Sequence, residues 1–499
     1  MSLILIMSLQ TNKILWVNAF TGCDALNALV DAIPSLKVND TLFIIGFCSE
    51  YMTGLMMAID SNLNAKWIIK MDTLDIFPPI KGIVKLDDSL IATIPPLGIF
   101  NIKTRSYVWL KSSYYPLGSL AFDGSNLMVG LEYYYSSPSS IILKVDLNGT
   151  ILWAKRISLQ APYLQNFTVK DIIFDGQNYV LLIRTTFANP GPGDDWRLTT
   201  ILKLDTAGNL IWIKSYNVGN NFFKLLKDSD GYVALGFLCA IAWYCSNLDN
   251  DNILLLKIDF DGNVKFLKSY SSNVNGWISE DRAYNITFDY DGNYLISGLI
   301  IASSNSSYPI VLKVDRENGN LIWARVWNTP PPNTTSNEAR GIISIGQGKF
   351  YLLTFLGGFG GFAVIREDTA SPIQCTQNIN FNVSSLGTSI DNFTPQVYNV
   401  ILEEDSFRFP LSYIYTSAFL TEGCSISSNY EFNKSCLFKV SSNKGYIHIE
   451  LNKREKVSIY DISGKSIYNE FFEGKRKIKV KEGVYVVKIG KENVKVVVK

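Results

Sequence analysis

The sequence predicts an all-β fold: a seven-bladed β-propeller closed by its own N-terminal strand, followed by a C-terminal Ig-like β-sandwich. Three observations predict it. A strand–turn–strand unit repeats, a polar turn precedes each unit, and the last unit lacks a strand that the N-terminus can supply.

The repeat is clearest in LKVDLNGTILWAKRIS from Leu143, LKLDTAGNLIWIKSYN from Leu202, LKIDFDGNVKFLKSYS from Leu256 and LKVDRENGNLIWARVWN from Leu312. Each reads as a strand, a tight turn and a second strand with an aromatic at a fixed place. Glycine in the turn supplies the positive φ that a short hairpin demands. Degenerate copies start at Met56 and Phe100. The aromatics are then Trp67, Trp109, Trp153, Trp212, Phe266 and Trp323, with Trp16 in NKILWVNAF as an orphan. They recur roughly every 51 residues, the length of a four-stranded propeller blade. Burying each between blades is worth about 2–3 kcal/mol.

The upstream turns are Asn39-Asp40, Asp87-Asp88, Asp123-Gly124, Asp175-Gly176, Asp230-Gly231, Asp291-Gly292 and Gln347-Gly348. Each unit therefore reads strand A, tight turn, strand B, long loop, strand C, tight turn, strand D. The last unit stops after strand C at 361–367. The orphan strand 13–19 is predicted to pair with 362–366, which leaves no open edge in the ring.

Composition sets the domain boundaries. Residues 1–10 form an N-terminal extension, 11–368 the propeller, 369–438 a connector and the first part of the sandwich, and 439–499 a Lys-rich module. That module holds 13 Lys and 2 Arg against 6 Glu and 1 Asp, a net charge of +8 in a chain of net charge +1. The excess suits an anionic surface or a solvated face whose lysines discourage strand pairing. No apolar run approaches the roughly 18 residues of a membrane-spanning helix. MSLILIMSLQ has no basic flank and is not read as an intact signal peptide.

The unit LKLDTAGNLIWIKSYN, preceded by DSDGYVALG, resembles the repeat of secreted bacterial and archaeal propellers and, distantly, quinoprotein (PQQ-like) repeats. The resemblance covers about 11–368. It implies a fold and no activity; the cofactor-binding side chains of quinoprotein enzymes have no counterpart here. Within 456–499, VSIYDISGK and GVYVVKI resemble the C-terminal sorting domain of proteins exported by the type IX secretion system. That likeness implies secretion or surface attachment. The same short sandwich also occurs as a plain structural module.

In a propeller the A–B and C–D turns share one face, and the B–C and D–A loops share the other. Here the first set is tight and the second varies in length, the usual layout of a binding face. Its loops carry Tyr114, Tyr115, Tyr133, Tyr134, Asp194, Asp195, Trp196, Trp243, Tyr244 and Trp277. Rings beside carboxylates suit a carbohydrate, a cation or a protein partner; packing of the loops onto the ring is the alternative.

Several chemistries are disfavoured. The single histidine, His448, falls in the C-terminal module, so the propeller offers no histidine base or ligand. No Walker loop, dinucleotide fingerprint or HExxH occurs, and nucleic acid is not an expected partner. No cofactor is expected; Asp289, Asp291 and Asn293 offer oxygen ligands but are explained by the hairpin turn, whereas calcium stays open at Asp249 and Asp251, and neither set matches an EF-hand loop. Candidate disulfides are Cys23 with Cys48, Cys239 with Cys245 and Cys424 with Cys436, leaving Cys375 unmatched. Buried free thiols are the alternative. Glycosylation sequons stand at Asn39, Asn148, Asn166, Asn285, Asn305, Asn333, Asn382, Asn392 and Asn433.

The function expected is a non-enzymatic extracellular or cell-surface propeller, contacting other protein subunits or surface glycans. In one form of it, residues 1–10 add to a neighbour's sheet and build a filament. The alternative is a carbohydrate-active hydrolase or lyase using carboxylates such as Asp194 and Asp195.

Overall fold

A computed structural model describes residues 14–17, 34–48, 54–70, 80–95, 97–111, 117–131, 139–159, 163–188, 196–218, 221–238, 252–272, 280–303, 306–327, 337–356, 361–368, 376–378, 381–385, 390–391, 395–399, 412–413, 438–443, 446–461, 465–481, 483–489 and 492–498. Among them every regular element is a β-strand. The chain divides into two compact units, Met1–Cys424 and Ser425–Lys499.

In the first unit, consecutive strands pair antiparallel into separate sheets, numbered here in chain order with strands A to D. Sheet 1 is Ser35–Asn39, Leu42–Cys48, Gly54–Asp60 and Ala65–Lys70. Sheet 2 is Gly82–Lys85, Leu90–Ile94, Leu97–Asn101 and Ser106–Lys111. Sheet 3 is Leu117–Phe122, Asn126–Leu131, Ser139–Asp146 and Ile151–Leu159. Sheet 4 is Leu164–Phe174, Tyr179–Phe187, Trp196–Leu204 and Leu210–Tyr216. Sheet 5 is Asn221–Asp228, Gly231–Leu238, Asn252–Ile258 and Val264–Ser272. Sheet 6 is Glu280–Phe288, Tyr294–Ser303, Ser306–Val314 and Leu321–Trp327. Sheet 7 is Asn337–Gly346, Lys349–Leu356 and Gly361–Asp368, and its fourth strand is Ile14–Val17.

The N-terminal strand lies where the sequence puts it. Ile14 stands opposite Ile365 and Val17 opposite Phe362. Strand A of each sheet touches strand A of the next, and Asn337–Gly346 of sheet 7 touches Ser35–Asn39 of sheet 1. The arrangement is a closed, propeller-like ring.

The core lies between successive sheets. In strand B of sheet 4, Tyr179, Leu181 and Ile183 pack with Met128 and Ile142 of sheet 3, while Val180 and Leu182 pack with Tyr232 and Leu254 of sheet 5. A strand buried on both faces needs apolar residues at consecutive positions, and YVLLI supplies them.

The segment after sheet 7 differs from expectation. The sequence assigns residues 369–438 to a connector and the start of the sandwich, yet their described strands join the ring. Thr376–Asn378 pairs with the outer strand of sheet 6, Phe381–Ser385 with that of sheet 5, Ile390–Asp391 with sheet 4, Pro395–Asn399 with sheet 3 and Ser412–Tyr413 with sheet 1. This strap visits the sheets in reverse chain order and gives five of them a fifth strand. The physical reason is the open edge: every strand D leaves backbone groups unpaired on its outer side, and an extended segment satisfies them.

The second unit is one antiparallel sheet of Phe438–Asn443, Tyr446–Asp461, Ser466–Lys479, Gly483–Ile489 and Glu492–Val498. The long strand Tyr446–Asp461 pairs with Ser466–Lys479 along one edge. Phe438–Asn443 and Gly483–Ile489 share its other edge. Between Leu451 and Glu455 the register shifts, so the strand bends. Phe438–Asn443 also touches Glu492–Val498, which folds the sheet over Ile447, Ile449, Leu451, Val457, Ile459, Tyr485 and Val487.

Candidate functional site

A set of buried ionisable groups recurs at the joints between sheets, on the face of the tight turns. Lys144, Lys203, Lys257 and Lys313, the lysines of the LKxD units, are all buried. Lysine is rarely buried unless paired, and each meets the A–B turn aspartate of its own sheet. Nζ lies 3.0 Å from Asp123, 3.3 Å from Asp175, 3.0 Å from Asp228 and 2.7 Å from Asp289, respectively.

A tyrosine from strand B of the following sheet completes the joint. Tyr179 donates to Asp123 at 2.5 Å, Tyr232 to Asp175 at 2.5 Å, and Tyr294 to Asp228. The two oxygens of each carboxylate have different partners. Oδ1 of Asp123 accepts from the amides of Ser125 and Asn126, and Oδ1 of Asp175 from those of Gln177 and Asn178. Oδ2 in each case faces the lysine and the neighbouring tyrosine. Asp289 has the lysine without the tyrosine, because Phe350 stands at the equivalent place in sheet 7 and has no hydroxyl.

Burial pushes the Asp123, Asp175 and Asp228 carboxyls up, but the donors around them outweigh it, and all three are held below the usual range. Tyr179, Tyr232 and Tyr294 are raised, first by burial and then by the adjacent carboxylate. The phenols therefore stay neutral donors and the carboxylates stay charged acceptors. Such a joint fixes sheets and leaves no lone pair poised for chemistry.

The strand D aromatics Trp109, Trp153 and Trp212 also reach across to the following sheet, and are half-buried. Trp109 donates from Nε1 to Leu147 O at 2.7 Å and Trp212 to Phe260 O at 3.1 Å, both in the C–D turn of the following sheet. Trp153 lies so close over the next turn that a Cβ on Gly208, at φ +77°, would fall 2.8 Å from its Cη2.

Other predicted residues fare differently. At Asp289 and Asp291, a cation is already present: Lys313 Nζ lies 2.7 Å from one carboxylate and 2.5 Å from the other. The ammonium fills the place between the two carboxylates of this hairpin turn. Asp249 and Asp251 lie outside the described residues. Among the described residues, no three of His, Cys, Asp and Glu converge as metal ligands.

Of the binding-face residues, Tyr114, Tyr115, Tyr133, Tyr134, Asp194, Asp195, Trp243, Tyr244 and Trp277 lie outside the described residues; Trp196 is placed by its backbone alone, opposite Phe187. Cys23, Cys239, Cys245, Cys375, Cys424 and Cys436 also lie outside them, and the backbone of Cys48 ends strand B of sheet 1.

The sequons separate by exposure. Asn39 and Asn148 are exposed. Asn166 is half-buried and accepts from Thr168. Asn285 is 8 % exposed and its Oδ1 accepts from the Ile286 amide, which corrects its assignment as a glycan carrier: the folded strand encloses it. Asn382 lies in a strap strand, with its side chain outside the description, as are Asn305, Asn333, Asn392 and Asn433 altogether.

In the second unit, His448 is half-buried with its ring centroid 6.5 Å from that of Tyr446. On the same strand pair, Lys477 Nζ sits 4.1 Å from the Tyr446 ring centroid, a cation–π contact. Among the described residues no helix is long and apolar enough to cross a membrane.

No curated protein matches the chain. Among solved structures it is similar to Kuenenia stuttgartiensis hydrazine synthase, at 9% identity and TM-score 0.43 over 66% of this chain and 96% of that one. It is also similar to Drosophila semaphorin 2a, at 10% identity and TM-score 0.40 over 100% of this chain and 99% of that one. A europium-containing methanol dehydrogenase is similar at 10% identity and TM-score 0.39, over 67% and 77% of the two chains. At such scores these likenesses carry no argument about activity or partners. Residues 443–499 match the family described as the secretion system C-terminal sorting domain, and the protein is accordingly secreted, to the cell surface or the extracellular space.

Proposed function

We propose that the seven sheets are the blades of a seven-bladed propeller spanning 11–368, carried outside the cell with an Ig-like C-terminal module, and that this propeller is a non-enzymatic scaffold for binding or assembly. One observation carries the reading. The buried Asp123, Asp175 and Asp228 with their lysines and the tyrosines of the following sheets are consumed in joints between sheets 3 to 6, while the loops that vary in length leave the opposite ends of the strands. Rigid joints on one face and variable loops on the other suit recognition of protein subunits or surface glycans.

The assembly form of this reading places residues 1–10 of one subunit on a sheet edge of the next. Its test is sedimentation of the full chain over a wide concentration range, beside a chain lacking residues 1–10. Concentration-dependent polymers that vanish on the deletion are expected. A monomer at every concentration sinks the assembly form. A glycan array read together with a product assay tests the binding form, and release of cleaved sugar that is lost in Asp194→Asn would replace the scaffold by a hydrolase or lyase. Glycans are expected at the exposed Asn39 and Asn148.

A further inference from the structure

The outer face of the C-terminal sheet has a two-part surface that no part of the ring reading uses. In the strand pair Tyr446–Asp461 and Ser466–Lys479, Ile447 and Ile449 face the core. Cross-strand register then assigns the faces: Ile447 stands opposite Ile478, whereas Tyr446 stands opposite Lys479, His448 opposite Lys477 and Glu450 opposite Lys475. Alternation along 468–479 puts Asn469, Phe471, Glu473, Lys475, Lys477 and Lys479 on the outer face, Ile467 lies at the register shift just before Tyr468, and all seven are exposed.

The order along that face is the informative part. One end is apolar: Phe471 is 61% exposed and Ile467 42%. The other end is cationic, with Lys475, Lys477 and Lys479 at alternate positions whose backbones step about 7 Å apart along the strand. Exposed Lys456 stands opposite Phe471 on the same face; Glu473 lies between the two parts, and Glu450 stands opposite Lys475 at the cationic end. The surrounding segment 439–499 carries a net +8.

We infer that this face binds an anionic lipid surface, with Lys475, Lys477 and Lys479 on the phosphate headgroups and Phe471 and Ile467 entering the boundary below them. A soluble polyanion would use the lysines and leave the exposed phenyl and isoleucyl groups in water. A bilayer surface uses both, because basic residues gain from the headgroup potential and apolar ones from partial burial. The contact is peripheral and weakens with salt.

The experiment is vesicle co-sedimentation of the full chain at low salt. The vesicles are pure phosphatidylcholine or phosphatidylcholine with one third phosphatidylglycerol. Binding is expected on the anionic vesicles alone. The triple variant Lys475→Gln, Lys477→Gln, Lys479→Gln should weaken it by about a hundredfold, since each lysine near such a surface contributes about a factor of five. The Arg versions of the same three should retain it, which separates charge from folding. Phe471→Ser should weaken binding several-fold. Equal binding to both vesicles, or wild-type binding by the Gln variant, overturns the inference. So does a Phe471→Ser chain that binds vesicles unchanged while dextran sulfate competes, because the face then recognises a soluble polyanion. Any of these failures leaves the reading of the ring untouched.

Discussion

Replacing Asp228 by Asn should reveal what one inter-sheet joint is worth. Asp228 is buried between sheets 5 and 6, and its carboxylate accepts from Lys257 at 3.0 Å, from the Ser229 amide at 2.6 Å, and from Tyr294 and Arg316. Burial raises its pKa, but those donors together lower it from 3.8 to about 2. A tenfold weakening of proton binding corresponds to about 1.4 kcal/mol, so the charge stabilises the fold by about 2–3 kcal/mol near neutral pH. The geometry leads to a similar figure by a separate route. Removing one partner of a buried pair costs about 3–5 kcal/mol. Lys257 keeps Asp230 at 3.0 Å and the Arg316 carbonyl at 3.0 Å, which places this case at the low end. The sign with pH follows from a depressed folded-state pKa: the stabilisation is complete above about 4 and is lost as pH falls towards 2. Urea unfolding followed by tryptophan fluorescence measures it, on wild type and Asp228→Asn, at pH 7 and at steps from 4 down to 2. The two should differ by about 2–3 kcal/mol at pH 7 and converge at the acid end. A difference below about 0.5 kcal/mol at pH 7, or one unchanged by acid, refutes the joint as a source of stability.

Three further outcomes are expected. Gly208→Ala forces a side chain into positive φ beneath Trp153 and should cost about 1–2 kcal/mol in unfolding free energy; no loss would mean that the turn relaxes freely. Val397→Pro removes an amide from the strap beside Ile157, and hydrogen exchange at 155–159 should quicken while that in Tyr179–Phe187 is unchanged. Deleting residues 1–19 uncovers the edge of Gly361–Asp368, and size-exclusion chromatography should show association that grows with concentration; a well-behaved monomer would count against closure by that strand.

The legible parts of this fold are those that repeat. A hairpin turn needs glycine at a fixed offset and a strand D aromatic needs the next turn to lie against, so Gly208 and Trp153 announce each other at every period. The lysines of LKxD stand in plain view in the repeat, but lysine is ordinarily a surface residue, and this hides their role. A lysine recurring inside strands that are apolar on both faces demands a carboxylate, and the turn aspartates are the available ones. The strap is not legible. Its strands are two to five residues long, too short for a period to register, and their partners lie far away in sequence. Asn285 misleads for a related reason: a sequon is a local pattern, whereas its enclosure depends on a strand placed by distant neighbours.

The strap also determines how the chain would bear tension. For a pull transmitted along the peptide backbone from the C-terminal side, the first attachment among the described residues is the two-residue ladder of Ser412–Tyr413. Next come Pro395–Asn399, Ile390–Asp391, Phe381–Ser385 and Thr376–Asn378, each on a different sheet. Force is thereby spent on peeling short ladders in sequence before it acts on Gly361–Asp368, the strand that holds the N-terminus in place. An anchored molecule of this design yields in small steps at its rim while its ring stays shut.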